Sequence, residues 1–353
     1  MKARQCGAAL LTAMLTVALV ATMAATALWQ QWRSVEVEAA ERARVQALWV
    51  LTGALDWSRL ILREDGRSGG ADHLGEPWAV PLEEARLSSF LAAGKDNTVD
   101  NAESLQQVFL SGRISDLQAR MNVLNLVDLV SKASPAPPPG TDATPAAPAT
   151  STGGQQPGAE MTAKVSESDL QAFARLFERL GLQPGELTAL AENLRFALDT
   201  GAASGAASRS PLLPQRVDQL VWLGLSPRSL ALLRPYITLL PVRTPVNVNT
   251  ASAMVLSASI PKLDLAQAQR MVSARLVSPF RTLADAGKLA GDAAGPLNAA
   301  QHSVNSRFFE VRGQLRQDKG VVQEHSVVQR DGLNVKTLWR DRGAEAPQNV
   351  LLQ

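Results

Sequence analysis

Hydropathy along the chain opens with an uninterrupted apolar run. Between Arg4 and Arg33 there is no charged residue, and Ala8 to Trp29 holds only Thr12, Thr16, Thr22 and Thr26 as polar members. A helix over this run, rising about 1.5 Å per residue, is roughly 33 Å long, enough to cross a bilayer's hydrocarbon core. Threonine hydroxyls can bond back to the helix's own carbonyls, which makes them tolerable in lipid. Lys2 and Arg4 in front of the run predict a cytoplasmic N-terminus with the bulk of the chain outside. After Trp29 the pattern turns amphipathic without a break. Val35, Val37, Val45, Leu48, Trp49, Leu55, Leu60 and Ile61 recur near helical spacing, with Glu36, Glu38, Glu41, Arg42 and Arg44 between them. The spacing predicts one long helix, its 8–29 part in the membrane and its 30–65 part beyond it.

Three readings of the N-terminus compete. A secretory signal peptide fits the basic start, the apolar run and Ala25-Thr26-Ala27. A plain anchor carrying a long stalk fits as well. The third is a prepilin leader, short and basic, ending in Gly7 and cut before Ala8. Cys6 precedes the apolar run, so a lipoprotein signal is excluded by order.

Further along, 66–101 is polar and broken around the island Leu74-Gly75-Glu76-Pro77-Trp78. Val108 to Asp116 reads as a strand, followed by a turn into helix. Ala133 to Ala159 holds seven prolines and one charge, Asp142, and is expected to be a disordered linker. Glu167 to Asp199 returns to helical spacing, with Ser166 and Asp169 as caps. Thr200 to Ser210 is a second flexible stretch. Gln215 to Leu240 predicts two short helices broken at Gly224-Leu225-Ser226-Pro227, and Asn247 to Leu289 two or three more, with Thr250 as an N-cap. The period then switches to two. Phe308–Leu315, Val321–Gln329 and Leu333–Arg340 predict three strands with turns at Asp318-Lys319-Gly320 and Asp331-Gly332. The outcome is an α domain inserted into an antiparallel sheet led by one long helix.

Composition changes this picture little. The 353 residues suggest about two domains. Lys and Arg number 35 against 33 Asp and Glu, so the net charge of +2 offers no reason to expect nucleic acid as the main partner. A single cysteine rules out an internal disulfide framework and any cysteine-built metal cage. His73, His302 and His325 stand far apart, and no pattern signals an enzyme or a cofactor. His73 lacks a second histidine or cysteine and reads as a structural loop residue beside Trp78. Gly94-Lys95 lacks the earlier glycine of a phosphate loop. Trp29 and Trp32 stand where an aromatic belt belongs, and Trp49 and Trp57 read as packing anchors.

Four stretches carry a resemblance. They are RQCGAALLTAML (Arg4–Leu15), DHLGEPWA (Asp72–Ala79), SGRISDLQARMNVLNLV (Ser111–Val127) and TPVNVNTASAMVLSA (Thr244–Ala258). In order and spacing the chain resembles the minor pseudopilin K family of type II secretion, also called general secretion pathway protein K. The resemblance implies an α+β fold: a pilin-like long N-terminal helix plus antiparallel sheet, with a large inserted all-α domain of SAM-like or helix-hairpin-helix-like type. Its expected divisions are a leader (1–7), the helix (8–29 and 30–65), a loop and first strands (66–120), the insertion (121–300), the last strands (301–345) and a tail (346–353). Within the insertion fall the linker (133–160), a flexible loop (200–211) and a second helical subdomain (244–290).

The resemblance also implies a non-enzymatic subunit of the inner membrane. Prepilin peptidase would cut between Gly7 and Ala8, and Ala8 would be N-methylated. The partners would be the minor pseudopilins I and J at the tip of a periplasmic pseudopilus. Cleavage puts Thr12 at mature position five, where ordinary pilin subunits resemble one another in carrying Glu. A carboxylate in lipid is costly unless paired, and the topmost subunit has nothing above it to neutralise, so Thr12 suits a tip. Val45, Leu48 and Trp49 are the expected contacts for partner helices.

Two further readings remain. Asn247-Val248-Asn249-Thr250-Ala251 with its following helices also resembles a helix-hairpin-helix DNA module, which would make the chain a single-span periplasmic binding protein. That hairpin, Ser259-Ile260-Pro261-Lys262, has no glycine, Pro261 removes a donor, and Lys262, Arg270 and Arg275 make no strong basic face. Family members resemble one another in an acidic calcium loop. Here Leu198 to Leu220 holds only Asp199 and Asp218 as acids, and no metal site is expected.

Overall fold

A computed structural model describes residues 6–88, 108–131, 161–199, 211–291, 297–317 and 320–343. The expected linker 133–160, most of the loop 200–211, Gly94-Lys95 and the tail 346–353 lie outside the described residues.

In chain order, α1 (Cys6–Ser68) leads to β1 (Leu82–Arg86), β2 (Val108–Asp116), β3 (Met121–Asn122), β4 (Val127–Ser131) and β5 (Met161–Val165). Then come α2 (Glu167–Arg179), α3 (Pro184–Leu198), α4 (Pro227–Leu233), β6 (Ile237–Thr238) and β7 (Val246–Asn247). The chain closes with α5 (Ala253–Ser259), α6 (Leu265–Val277), α7 (Leu283–Ala290), β8 (His302–Ser303), β9 (Phe308–Gln317), β10 (Gly320–Asp331) and β11 (Asn334–Gly343).

The 63 residues of α1 make a rod about 95 Å long. It stops at Gly69, whose positive φ of 67° favours a residue without Cβ and whose N–H caps Asp65 O at 3.1 Å. Beyond the apolar run, Ala47, Leu51, Leu55 and Leu62 turn one face of α1 onto a five-stranded antiparallel sheet of order β1-β2-β9-β10-β11. Register sets Ile114 beside Val311 and Val311 beside Ser326. Side chains alternate across a strand, so Leu110, Ile114, Phe309, Val311, Leu315 and Val328 all meet the helix side. The three late strands stand where the period-two pattern placed them.

The insertion departs from the expected all-α domain. It has one continuous core from Met121 to Ala290, yet it also contains three small strand pairs. These are β3 with β6 (parallel), β4 with β5 (antiparallel) and β7 with β8 (parallel). The expected helix after Asp116 is replaced by two 3-10 turns, Leu117–Ala119 and Val123–Leu126. The cause is local. Asp116 Oδ1 accepts from Gln118 N at 2.7 Å and Asn122 Oδ1 from Leu124 N at 3.1 Å, so short side chains bind the backbone groups a helix would have used. The break in the two helices of 167–199 is Gly181, with φ of 65°. The break at Gly224, φ 102°, separates a 3-10 stretch, Val217–Leu223, from α4.

Candidate functional site: an exposed helix and the junction at its far end

The three downstream stretches that carry the resemblance meet in space. Asp72 comes from the first, Asp116, Gln118, Asn122 and Asn125 from the second, and Thr244, Asn247, Asn249 and Thr250 from the third. Asp116 Oδ2 accepts from Thr250 Oγ1 (2.6 Å), Ser306 Oγ (2.6 Å) and Asn247 Nδ2 (3.1 Å). Asn247 also donates to Asp72 O at 3.1 Å, and Asp72 Oδ2 accepts from Ser306 N at 2.6 Å. Arg330 completes the cluster, donating to Asp65 Oδ2 at 2.5 Å, to Asp72 Oδ1 and to Ser306 O at 3.0 Å. Thr250 is therefore not the N-cap the sequence suggested. That role belongs to Ser252, whose Oγ accepts from Val255 N at 3.3 Å.

Next to this junction the neutral asparagines act as staples. Asn122 holds Leu240 N, Leu124 N and Val242 O, Asn125 holds both backbone groups of Thr244, and Asn249 does the same for Phe280. Each satisfies backbone groups that burial would otherwise orphan. The loop from Asp72 to Ala79 closes on itself, with Glu76 Oε2 accepting from His73 N (2.9 Å) and Trp78 Nε1 (2.7 Å). Trp78 is buried edge-on against Phe309 at 5.2 Å, and His73 Nδ1 accepts from Gly75 N, a structural role as expected. Burial pushes Asp116 up to about 6, against the pull of Ser306, Thr250 and Gln118 and with a further push from Asp72.

Gly7 and Ala8 stand in the first turns of α1. Thr12 Oγ1 donates to Ala9 O at 3.0 Å, and Thr16, Thr22 and Thr26 repeat the bond at 2.9, 2.9 and 2.8 Å. Among the described residues α1 is the one helix long and apolar enough to cross a membrane, and its apolar window buries nothing inside the chain. Trp29 and Trp32 are exposed near its upper edge. Of the expected partner contacts, Val45 and Trp49 are 51% and 73% exposed, and Leu48 is half-buried beside them. The sheet covers the opposite face of the helix.

Sequence reasoning missed Asp65, Ser306 and Arg330. Arg330 belongs to the inward period-two set of β10 (Val322, Glu324, Ser326, Val328, Arg330), and charged members of an inward set were the available signal.

Three other candidate sites do not hold up. Asp65, Asp72 and Glu76 bring ligand atoms within 4.8 Å of one another, but the guanidinium of Arg330 already neutralises the first two. In the region matching the family's calcium loop, Asp218 is ion-paired with Arg234 and Asp199 is the C-cap of α3. Two such carboxylates do not fit a site needing six to eight oxygen ligands. The helix-hairpin-helix reading loses one of its three cations. Arg275 is buried, donates to Val248 O at 2.6 Å and is pushed down to about 10 by desolvation. The carbonyls of α5 that end at the hairpin are taken by Arg175 and Arg179 from α2.

Comparisons with known proteins agree with this anatomy. Two family profiles, both described as type II secretion system (T2SS), protein K, match residues 119–242 and 246–305, together just over half of the chain. A Pseudomonas aeruginosa protein named type II secretion system protein K is 26% identical over 97% of this chain and 91% of its own. A solved structure, that of the GspK–GspI–GspJ complex from the enterotoxigenic Escherichia coli type 2 secretion system, superposes with a TM-score of 0.54. That match is 16% identical in sequence and covers 87% of this chain and 99% of the other.

Proposed function

The chain belongs to the type II secretion system protein K family and is thus a minor pseudopilin, and we propose that it caps the tip of the pseudopilus as a non-enzymatic subunit. The observation that carries the reading is α1. Its stretch from Ala9 to Trp29 is exposed and without charge, and its later part is half-sheathed by a sheet that leaves Val45 and Trp49 in the open.

In this reading the apolar half sits in the inner membrane with the sheet and insertion in the periplasm, and prepilin peptidase cuts between Gly7 and Ala8. Ala8 is then methylated, and Thr12 takes the place of the carboxylate that lower subunits present. Thr12 bonds its own helix and so has no charge needing a neighbour above. The insertion, joined near the far end of α1 through the contacts of Asp72 and Asp116 with Asn247 and Thr250, adds bulk where a further subunit would stack. The partners are minor pseudopilins I and J of the same system, whose helices lie against Val45, Leu48 and Trp49.

The test is co-purification of the full-length chain with its own I and J subunits. Val45→Asp with Trp49→Asp should lose both partners while melting as the native protein does. Undiminished co-purification would overturn the partner face. Gly7→Val should leave the leader attached, read as a mass larger by residues 1–7, and normal cleavage of that variant would remove the prepilin reading.

A further inference from the structure

Of Gly53, Gly66, Gly185 and Gly287, all within helices, only Gly66 is crowded by a neighbour; Gly185 lies in the first turn of α3, Gly287 in the short α7, and Gly53 in the long exposed stretch of α1. Gly66 lies where a Cβ would stand 2.9 Å from Gly332 O, so the α1 backbone and the β10–β11 turn touch only because the side chain is missing. Gly53 has no such reason. A Cβ there would meet nothing within 4 Å, the residue sits mid-helix, and glycine there disfavours the helix relative to any ordinary residue. Nothing within the chain benefits from its lack of a side chain.

Its position gives the reason. Val45, Trp49, Gly53 and Trp57 follow one another at intervals of four and form a single row along α1. Its Val45–Gly53 part lies opposite the face that Ala47, Leu51 and Leu55 bury on the sheet, and the row then winds round the helix to Trp57 at the rim of the β1–β2 flank. Trp57 is 52% exposed. Between the two indoles the row drops to bare backbone, a hole one residue wide with walls of aromatic carbon.

We infer that Gly53 is the close-approach point of a partner helix, whose apolar side chain enters the notch between Trp49 and Trp57. The row is an i±4 ridge about 18 Å long, inclined to the helix axis, against which another helix packs at an interaxial distance of roughly 8–10 Å. Lipid is too far away, because Gly53 stands about 30 Å beyond Trp32 along the rod. A second copy of this chain is disfavoured by geometry. Two copies anchored in one membrane run parallel, and a two-fold axis at Gly53 sets each Trp49 against its mate and leaves both notches without a knob. The occupant is therefore the helix of a different pilin-like subunit. The inference rests on the partner face proposed above and adds its contact point.

The experiment uses the full-length chain, co-expressed and co-purified with the I and J subunits of its own system, beside thermal melting of the chain alone. Gly53→Leu should raise the melting temperature by about 2–4 °C, because a helix former replaces glycine in an open position. The same change should cut partner recovery about tenfold by filling the notch. Gly53→Ala should give the same rise with a smaller loss. Gain of fold with loss of partner is a signature misfolding cannot produce. If Gly53→Leu keeps its partners while Trp49→Asp loses them, the notch is wrong and the partner face stands. If both variants keep them, both ideas fall. A lower melting temperature for Gly53→Leu would show that Gly53 is packed inside the chain and would overturn the inference. So would recovery of a homodimer in place of the I and J subunits.

Discussion

The two bodies joined at the junction are held together by different physics. The insertion has a continuous apolar core, from Val123 and Phe173 through Leu223 to Met271, with asparagines stapling its loops. The pilin-like body sets charges inside its sheet. On the helix side, Glu324 is buried between Arg340 (3.1 Å) and Arg342 (2.7 Å). On the outer side, buried Glu310 accepts from His325 (2.5 Å) and Arg312 (3.2 Å). Geometry explains the contrast. Five strands about 4.8 Å apart span roughly 20 Å, while one helix is only about 10–12 Å across. A single α1 cannot cover that face. On the β10–β11 flank the uncovered part is ionic. On the β1–β2 flank it is a groove of ≈ 260 Å³ opened by the paired glycines Gly112 and Gly313 and rimmed by Trp57, Val80 and Leu82. A body half-covered by its own helix suits a subunit that others complete, whereas the insertion completes itself.

The sharpest way to break this contrast is Arg330→Ala. Arg330 is buried, as are Asp65 and Asp72 to which it donates. Removing the cation leaves two carboxylates in the interior, and losses of about 3–5 kcal/mol follow from breaking such a pair on one side. Urea unfolding of the variant should show the body melting first, with the helical circular dichroism of the insertion persisting. A single transition shifted by less than about 1 kcal/mol would mean these buried ion pairs are not what holds the body together.

Acid separates the bodies more gently. His302, on β8 of the insertion, is pushed down to about 4. Burial dominates, with Arg175 in the same direction and the Asn298 backbone and Asp169 opposing. The unfolded chain therefore takes that proton near 6.5 and the folded chain only near 4, so stability falls as pH drops across this window. Asp116 is the reverse. Its folded value near 6 lies above the unfolded 3.8, so the native state takes the proton first and stability rises as pH falls through 6. Between pH 7 and 5 the His302 loss is about 2 kcal/mol and the Asp116 gain about 1 kcal/mol. That range stays above the ordinary value of Glu310, which its His325 and Arg312 partners hold down at about 2 despite burial. Asp116→Asn should make acidification more destabilising than in the native chain, and His302→Gln less. Equal slopes for all three in urea titrations at the two pH values would contradict both assignments.

How much of this was legible depends on whether the controlling contact is local. The long helix showed as unbroken periodicity, and β9, β10 and β11 as alternation between turn signals. In each, residues a few positions apart settle the matter. The strand β4 was not legible, because Val127–Ser131 is extended by pairing with Met161–Val165 across a stretch of about thirty proline-rich residues. The role of Thr250 was misread for the same reason: its partner Asp116 lies 134 positions away. Val45 and Trp49 were legible as surplus apolar residues, and they stand exposed. Gly53 was passed over, since a lone glycine in a helical pattern carries meaning only once its surroundings are known to be empty.

The smallest expected effect concerns calcium, and it bears on whether the insertion needs anything beyond its own core. The family resemblance implies an acidic calcium loop near 198–220, yet Asp218 there is ion-paired with Arg234. The carboxylate trio of the body is closed by Arg330. A ligand stabilises a fold by RT ln(1 + [L]/Kd), so even a weak site at saturating calcium raises the melting temperature visibly, and a hundredfold excess over Kd adds about 2.7 kcal/mol. For a chain held by a complete apolar core and protein cations, melting in excess calcium and in excess chelator should agree to within about a degree. A rise of several degrees would place a calcium site in the chain and make the insertion, like the body, a structure completed from outside. Repeating the melt with Asp199→Asn would then locate it: loss of the rise puts the ion in the 198–220 loop, and its survival puts it elsewhere.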